Sequence, residues 1–239
     1  MKYPREFFEI NLRFAWKVSE ITQEPIERML LYYTNFYIRF GIGRDFAIAN
    51  PIWQQYLESL NQVEDIAEWT YRFYLNRQQH ISLKSNNSPC SCFPYSVVDG
   101  NRIRLHFHNN ESPEHSPLSH DQMGKRLSEL KSIFAQIKQE ENSPTNVIGA
   151  SWLYNLEAYY RLFPPAYLAT AQVSGNDFPY LTLWGQFIDH HGRIKESLVM
   201  QFIECLAKQH CLEYIGKCFP FQVLHLESSI REFYKFYHV

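Results

Sequence analysis

Hydrophobic residues recur at steps of three and four along several stretches of the chain, which is the spacing of an amphipathic helix. The clearest case follows Ser119, which has the spacing of a capping box with Gln122. The apolar residues of that helix are Met123, Leu127, Leu130, Phe134 and Ile137. Spacing and capping residues predict further helices over 25–40, from Asn50 to Leu60, from Ile66 to beyond Phe73, over 155–162 and over 194–210.

Runs typical of strands appear only in the second part of the chain. Residues 93–108 place Asp99 and Gly100 between two strand-like runs, and this dipeptide favours a two-residue hairpin turn in which Val98 faces Asn101. Further strands are predicted over 147–153, 167–173 and 180–188. The order of elements predicts the α+β fold class, with a helical amino-terminal region (1–82) packed on a mixed α/β sheet region (90–239).

Composition narrows the class of protein. The chain is 45% hydrophobic and 20% charged, which favours a globular chain with a buried core. A formal net charge of -2 provides no basic field, so a nucleic-acid partner is not expected. The amino terminus lacks the apolar core of a secretory signal, and no apolar run reaches the length of a membrane span, so we expect a soluble cytoplasmic protein without membrane association. The oligomeric state stays open.

The cysteines and histidines offer one candidate metal site. The five cysteines are an odd number without an export signal, so they are expected to be reduced thiols. Cys90 and Cys92, with His106 and His108, are residue types that bind zinc. A two-residue hairpin loop puts the cysteines and the histidines on opposite faces, so no metal is predicted. A three-residue loop with a bulge would shift this register and revive the metal site.

A second histidine pattern has two interpretations. Asp189, His190 and His191 resemble the signature of DHH phosphoesterases. Those enzymes use further aspartates to hold metal, and this chain has no aspartate pair in a DxD arrangement. Because Gly192 follows, we interpret this segment as a turn.

Residues 103–173 show a family resemblance. Their order is a strand (IRLHF), an amphipathic helix, a strand ending in SWLYN, a short helix ending in RLFP and a further strand (YLATAQV). This order resembles the carboxy-terminal half of GNAT-like acyltransferases, and its most specific parts are Ser151–Asn155 and Leu162–Pro164. The resemblance implies a GNAT-like mixed sheet in which two neighbouring strands splay and the pantetheine of an acyl-CoA lies along the exposed strand edge.

The resemblance also implies an activity, the transfer of an acyl group from acyl-CoA to a small amine. It implies cofactor binding at Ser151, Asn155, Leu156 and Glu157, where backbone amides at a helix start would take the pyrophosphate. This segment has no glycine, whereas the phosphate loop of the family is rich in glycine. For the chemical step, His106 is the candidate general base and Tyr154 the candidate donor to the developing oxyanion.

The aromatic content supports a different class of function. The chain contains 16 Tyr, 18 Phe and 5 Trp, residue types that concentrate at protein interfaces. The alternative to an acyltransferase is therefore a noncatalytic protein that binds a protein partner or a small molecule.

Overall fold

The computed structural model describes residues 2–60, 62–82, 92–99, 101–109, 115–140, 144–173 and 180–239. The helices in these ranges are α1 (Arg5–Thr22), α2 (Ile26–Tyr33), α3 (Phe36–Arg39), α4 (Pro51–Leu60), α5 (Ile66–Ser82), α6 (Met123–Gln139), α7 (Glu157–Tyr160), α8 (Pro165–Leu168), α9 (Glu196–Ala207), α10 (Leu212–Ile215) and α11 (Ile230–Tyr237). The strands are β1 (Tyr95–Val98), β2 (Arg102–Leu105), β3 (Asn146–Ser151), β4 (Gln172–Val173) and β5 (Leu224–Ser229). Short 3-10 helices span His120–Gln122, Trp152–Asn155, Tyr180–Phe187 and Gly216–Cys218. The predicted α+β class is confirmed.

The chain folds into two compact units, and each unit is built from two separate segments. The first unit comprises Met1–Ser88 and Asn176–Pro220, and it is helical. The second unit comprises Pro89–Gly175 and Phe221–Val239, and it holds the sheet together with α6, α7, α8 and α11. The sequence predicts two regions that follow one another along the chain. In the structure the segments of the two units alternate along the chain instead.

Aromatic side chains form the core of the first unit. Phe14 of α1 lies with its ring centroid 5.4 Å from that of Trp184 and 5.9 Å from that of Phe202 in α9. In the same unit a disulfide joins Cys205 and Cys218, so the prediction of reduced thiols is wrong for these two residues. A search of the described residues for a helix long and apolar enough to cross a bilayer finds none.

Two predictions in the first unit are wrong in detail. The helix expected over 25–40 is interrupted, because the Thr34 hydroxyl donates to the carbonyl of Leu30 and accepts from the backbone N–H of Phe36. The strand expected over 180–188 is a 3-10 helix, Tyr180–Phe187. A short apolar run fits a buried helix as well as a strand, so periodicity could not separate the two.

The second unit is organised around one mixed sheet with the strand order β1-β2-β3-β5-β4. β2 pairs with β3 in parallel, and the other neighbouring pairs are antiparallel. β3 pairs with β5 along its whole length, from Asn146 with Ser229 to Ser151 with Leu224. β3 is therefore the central strand of the sheet.

The hairpin β1–β2 forms, but its register differs from the predicted one. Val98 pairs with Arg102, not with Asn101, so the loop has three residues. Asp99 adopts the left-handed conformation with φ 53°, and its carboxylate accepts a hydrogen bond from the Arg102 guanidinium. This bond stabilises the three-residue loop. The prediction used the general preference of Asp-Gly for two-residue turns, which does not include such a contact.

The segment that follows β3 turns earlier than predicted. The Ser151 hydroxyl accepts from the backbone N–H of Leu153, so the strand ends at Ser151 and a 3-10 helix begins. The helix expected over 155–162 is confined to α7. Pro165 then starts α8, which occupies part of the strand expected over 167–173 and leaves only β4.

The two faces of the sheet have different surroundings. The residues of the face packed against helices include Ile103, Leu105, Val147 and Leu226, and they form one buried cluster with Leu130, Phe134 and Phe233 from α6 and α11. Gly149 lies on the same face, because its missing side chain would point at the hydroxyls of Tyr154 and Tyr167. The opposite face presents Arg102, Arg104 and Glu227.

We predict that Gly149→Ala lowers the free energy of unfolding by about 1–3 kcal/mol, because a methyl group has no space against the two tyrosine hydroxyls. The matched control is Gly124→Ala in α6, where a methyl group meets nothing within 4 Å. That control should raise the free energy of unfolding by about 0.5–1 kcal/mol, because alanine favours the helix. Urea denaturation measures both, and equal effects of the two substitutions would contradict the close contact at Gly149.

Candidate functional site

A cluster of tyrosines lies beneath the centre of β3. Tyr154 comes from the 3-10 helix after β3, Tyr159 from α7 and Tyr167 from α8. The Tyr154 and Tyr167 hydroxyl oxygens are 3.0 Å apart, and Tyr159 also hydrogen-bonds Tyr154. None of the three side chains is more than 5% exposed. The cluster places neutral hydroxyl groups against the backbone of Gly149.

Burial fixes the protonation state of this cluster. Removal from water raises the pKa of Tyr154, Tyr159 and Tyr167 above the ordinary value, because the charged phenolate is poorly solvated in the interior. The cluster therefore donates hydrogen bonds at physiological pH and does not act as a base.

The parallel pairing of β2 with β3 stops beside this cluster. The paired residues run from Arg102 with Asn146 to Arg104 with Ile148. Beyond that point the backbone N–H of His106 donates to Pro94, on the β1 side of β2. β3 meanwhile continues as far as Ser151, held by β5. The carboxyl ends of the two parallel strands therefore have different partners.

The two predicted catalytic residues lie on opposite faces of the sheet. The His106 Nε2 atom is 2.9 Å from the Ser96 hydroxyl, on the face that also carries Arg104. Tyr154 lies in the buried cluster of the helix-covered face. Alternation along a strand explains the separation, because Ile103 and Leu105 point towards the helices and Arg104 and His106 point away from them. The structure does not bring the two side chains together on one face.

Three of the four residues predicted to bind the cofactor already make local hydrogen bonds. The Ser151 hydroxyl caps the 3-10 helix, and the Asn155 side-chain amide donates to the carbonyls of Trp152 and Gln222. The backbone N–H of Leu156 donates to Leu153. The fourth residue, Glu157, is exposed at the start of α7. Its carboxylate occupies the end of the helix that an anion would prefer, which disfavours a phosphate at this position.

The remaining candidates from the sequence are the cysteines of the possible metal site and the segment from Asp189 to His191. Cys90 lies outside the described residues, and Cys92 is fully buried against the guanidinium of Arg126. Within the described residues no three histidine, cysteine, aspartate or glutamate side chains form a possible metal site. The Asp189 carboxylate accepts from the backbone N–H groups of His191 and Arg193, so the predicted turn is confirmed.

A polar concavity of about 440 Å³ opens on the sheet face opposite the tyrosines. Its walls include Arg104 of β2 and His225 and Glu227 of β5. Sequence reasoning missed this site because β5 was not predicted. The alternation of Leu224, His225, Leu226 and Glu227 is a strand signal that could have identified it.

A second concavity, of about 460 Å³, lies within the first unit between α1 and α9. Its floor is apolar and its rim is mostly acidic. The apolar residues are Ile10, Ile194, Val199, Met200 and Ile203, and the charged residues are Glu6, Glu9, Arg13, Glu196 and Glu204. We refer to these ten residues as the α1–α9 groove.

Comparison of the chain with protein-family models, curated proteins and solved structures finds no match. The resemblance of residues 103–173 to GNAT-like acyltransferases therefore stays a prediction.

We predict that alkaline pH destabilises the protein through the buried tyrosines. In the unfolded chain a tyrosine loses its proton near pH 10, whereas burial keeps Tyr154 protonated because its pKa is raised. Above about pH 10 the unfolded state binds fewer protons, so the free energy of unfolding falls with pH by up to about 1.4 kcal/mol per unit for each such group. Tyr154→Phe should make this slope shallower in urea unfolding between pH 8 and 11.5, all values taken at about 25 °C.

The matched control for this titration is Tyr32→Phe, because Tyr32 is 39% exposed. Its loss should leave the slope unchanged. An equal reduction of the slope by both substitutions would show that the buried position of Tyr154 is not the cause.

Proposed function

We propose that the second unit is a GNAT-like acyl-transfer domain that binds an acyl-CoA and moves the acyl group to a small amine. One observation supports this most strongly, the parallel pair β2–β3, in which pairing ends at Arg104 with Ile148 while β3 continues to Ser151. The family resemblance implies two splayed neighbouring strands at this place in the element order. The mixed order β1-β2-β3-β5-β4 contains one parallel pair of neighbouring strands, β2 and β3, with α6 between them in the chain.

In this proposal the pantetheine lies between the carboxyl ends of β2 and β3. Its amides would pair with the edge of β3 beyond Ile148, as an added strand does. The thioester of an acyl-CoA held between the two strands would be accessible from both faces of the sheet. His106 is on one side, and Gly149 with the Tyr154 hydroxyl is on the other. The separation of the two side chains by the sheet is therefore compatible with joint action on a substrate between the strands.

The proposed chemical step is direct transfer. The amine nitrogen attacks the thioester carbonyl carbon, and its proton passes to the imidazole of His106. The Tyr154 hydroxyl donates a hydrogen bond to the carbonyl oxygen as negative charge develops on it. The carbon–sulfur bond then breaks, and CoA leaves as the thiolate. The local hydrogen bonds at Ser151, Asn155 and Leu156 favour binding of the phosphates elsewhere.

We expect acetyl-CoA to raise the melting temperature of the full chain and ADP to leave it unchanged, because ADP lacks the pantetheine. A ligand present at about 100 times its Kd stabilises the folded state by about 2.7 kcal/mol. Differential scanning fluorimetry measures the shift. Equal shifts with acetyl-CoA and ADP, or no shift with acetyl-CoA, would contradict the proposal.

Matched substitutions separate catalysis from binding. Tyr154→Phe should lower amine-dependent CoA release by about 100-fold, the usual effect of removing an oxyanion donor, and should preserve the acetyl-CoA melting shift. Tyr167→Phe removes a hydroxyl of similar burial from the same hydrogen bond and is the control. If the two variants lose activity equally, Tyr154 has no specific role in transfer.

We propose a second, noncatalytic function for the first unit, the binding of a basic amphipathic helix in the α1–α9 groove. Met200 is 62% exposed in the groove, which is unusual for a large apolar side chain with apolar neighbours. Four glutamates and one arginine surround this floor, which favours a cationic partner.

The shape of the surface also favours a helix. The apolar strip continues past Arg13 to Trp16, Leu206 and Ala207 along the same two helices. From Glu6 to Glu20 the α1 helix extends about 20 Å at 1.5 Å per residue, which matches a helical segment of about four turns.

A leucine–lysine amphipathic peptide of about four helical turns should bind the full chain, whereas a leucine–glutamate peptide of the same pattern should not. Met200→Lys should weaken binding by at least about 10-fold, because it places a positive charge on the apolar floor. Val173→Lys, at a residue 63% exposed in the other unit, is the control. Fluorescence anisotropy measures the affinities, and binding that is absent, or insensitive to Met200→Lys, would exclude this groove.

A further inference from the structure

The polar concavity on the open face of the sheet crosses three strands. In the register of the sheet, Arg104 is beside Ile148, and Ile148 is beside Glu227. A cationic side chain and an anionic side chain therefore stand on either side of the central strand. The remaining lining residues are Arg102, Gly149, Thr170, Gln172, His225 and Leu226. The site combines a small apolar floor with polar walls, as small-molecule sites commonly do.

Most of the charge in this concavity is already compensated. The Arg102 guanidinium bonds Asp99 and lies 3.7 Å from the Glu227 carboxylate. The other carboxylate oxygen of Glu227 accepts from the Asn146 side-chain amide at 2.7 Å. These contacts hold Glu227 against its own sheet neighbours, so it is not available to neutralise a second arginine.

Arg104, unlike Arg102, has no carboxylate partner among the described residues. The side chain of Arg104 makes no hydrogen bond or ion pair with any described residue, and its Nε atom is buried without an acceptor. The residue as a whole is half-buried beside the apolar side chain of Ile148. Leaving a buried donor of a cationic group unsatisfied is costly, and native structures generally provide such a donor with a partner.

We infer that this concavity binds a small monocarboxylate whose two oxygens pair with the guanidinium of Arg104. The planar fork of an arginine matches the geometry of a carboxylate, and such charge-assisted bonds are the strong ones. Arg102 is paired with Asp99 and Glu227, so the side chain left for a ligand is Arg104, whose single positive charge one carboxylate neutralises and a phosphate dianion exceeds. A volume of about 440 Å³ is within the usual range of small-molecule sites.

This inference is independent of acyl transfer. The site lies on the face opposite the tyrosine cluster, and carboxylate binding requires neither acyl-CoA nor an amine. Its failure would leave the acyl-CoA proposal intact, and failure of acyl-CoA binding would leave this site intact.

We expect benzoate and hexanoate to bind the full chain, and we expect the uncharged benzamide and hexanamide to bind at least about 10-fold more weakly, because a bond to a charged group contributes about 1.5–3 kcal/mol. Isothermal titration calorimetry and ligand-observed NMR measure both pairs. Arg104→Gln should abolish the preference for the carboxylate, and Arg104→Lys should retain only part of it, because a lysine keeps the charge and loses the fork.

The matched control is Arg231→Gln, at an exposed arginine of α11 away from the concavity. It should keep the preference for carboxylates, and the melting temperature of each variant shows that it is folded. The inference is wrong if neither carboxylate binds the wild-type chain at about 10 mM, a concentration that detects even weak complexes. It is also wrong if the amides bind equally well, or if folded Arg104→Gln retains the preference.

Discussion

The close approach of tyrosine hydroxyls to the backbone of Gly149 is the constraint on which the second unit depends. β3 is the central strand, and at Gly149 it has no side chain to separate it from the segment that follows. Tyr154 and Tyr167 fill that space and satisfy each other by a hydrogen bond of 3.0 Å. The end of β3 at Ser151 and the position of α8 each bring one of these rings beneath the strand.

The central strand separates two chemical environments. Towards the helices, β3 faces neutral tyrosine hydroxyls within a buried hydrophobic cluster. Towards the open face it lies between Arg104 and Glu227, which remain in contact with solvent. A strand achieves this through simple alternation, since successive side chains point to opposite faces. One short strand therefore separates neutral hydroxyl groups on one side from charged side chains on the other.

Local patterns predicted the helices better than the sheet. α4 and α6 follow from apolar spacing, and in α4 the Asn50 side chain accepts from the backbone N–H of Ile52 as the predicted cap. The capping box at Ser119 is different, because the Ser119 side chain makes no capping hydrogen bond and a 3-10 turn precedes α6. The hairpin was predicted, but a single left-handed residue, Asp99, altered its register.

The alternation in β5 is a local strand signal, but the assembly of the polar site from separate strands has none. Arg104 and Glu227 come together only because β3 pairs with β2 on one side and with β5 on the other. Pairing between distant segments has no local signature, and β5 contains polar residues that weaken its strand signal. The tyrosine cluster was partly accessible, since Tyr154 was named as the candidate oxyanion donor, whereas its partner Tyr167 was assigned to a strand and is in α8.

The four-piece division of the chain has a consequence for biosynthesis. β5 lies between β3 and β4 in the sheet, yet residues 176–220 of the other unit separate it from β4 in the chain. As the nascent polypeptide emerges, β3 lacks this neighbour until Leu224–Ser229 has been made. An unpaired strand edge can capture other chains, and contacts between distant segments form slowly. We therefore expect the ribosome-bound intermediate to need protection by chaperones, and no single cut in the gene releases either unit whole.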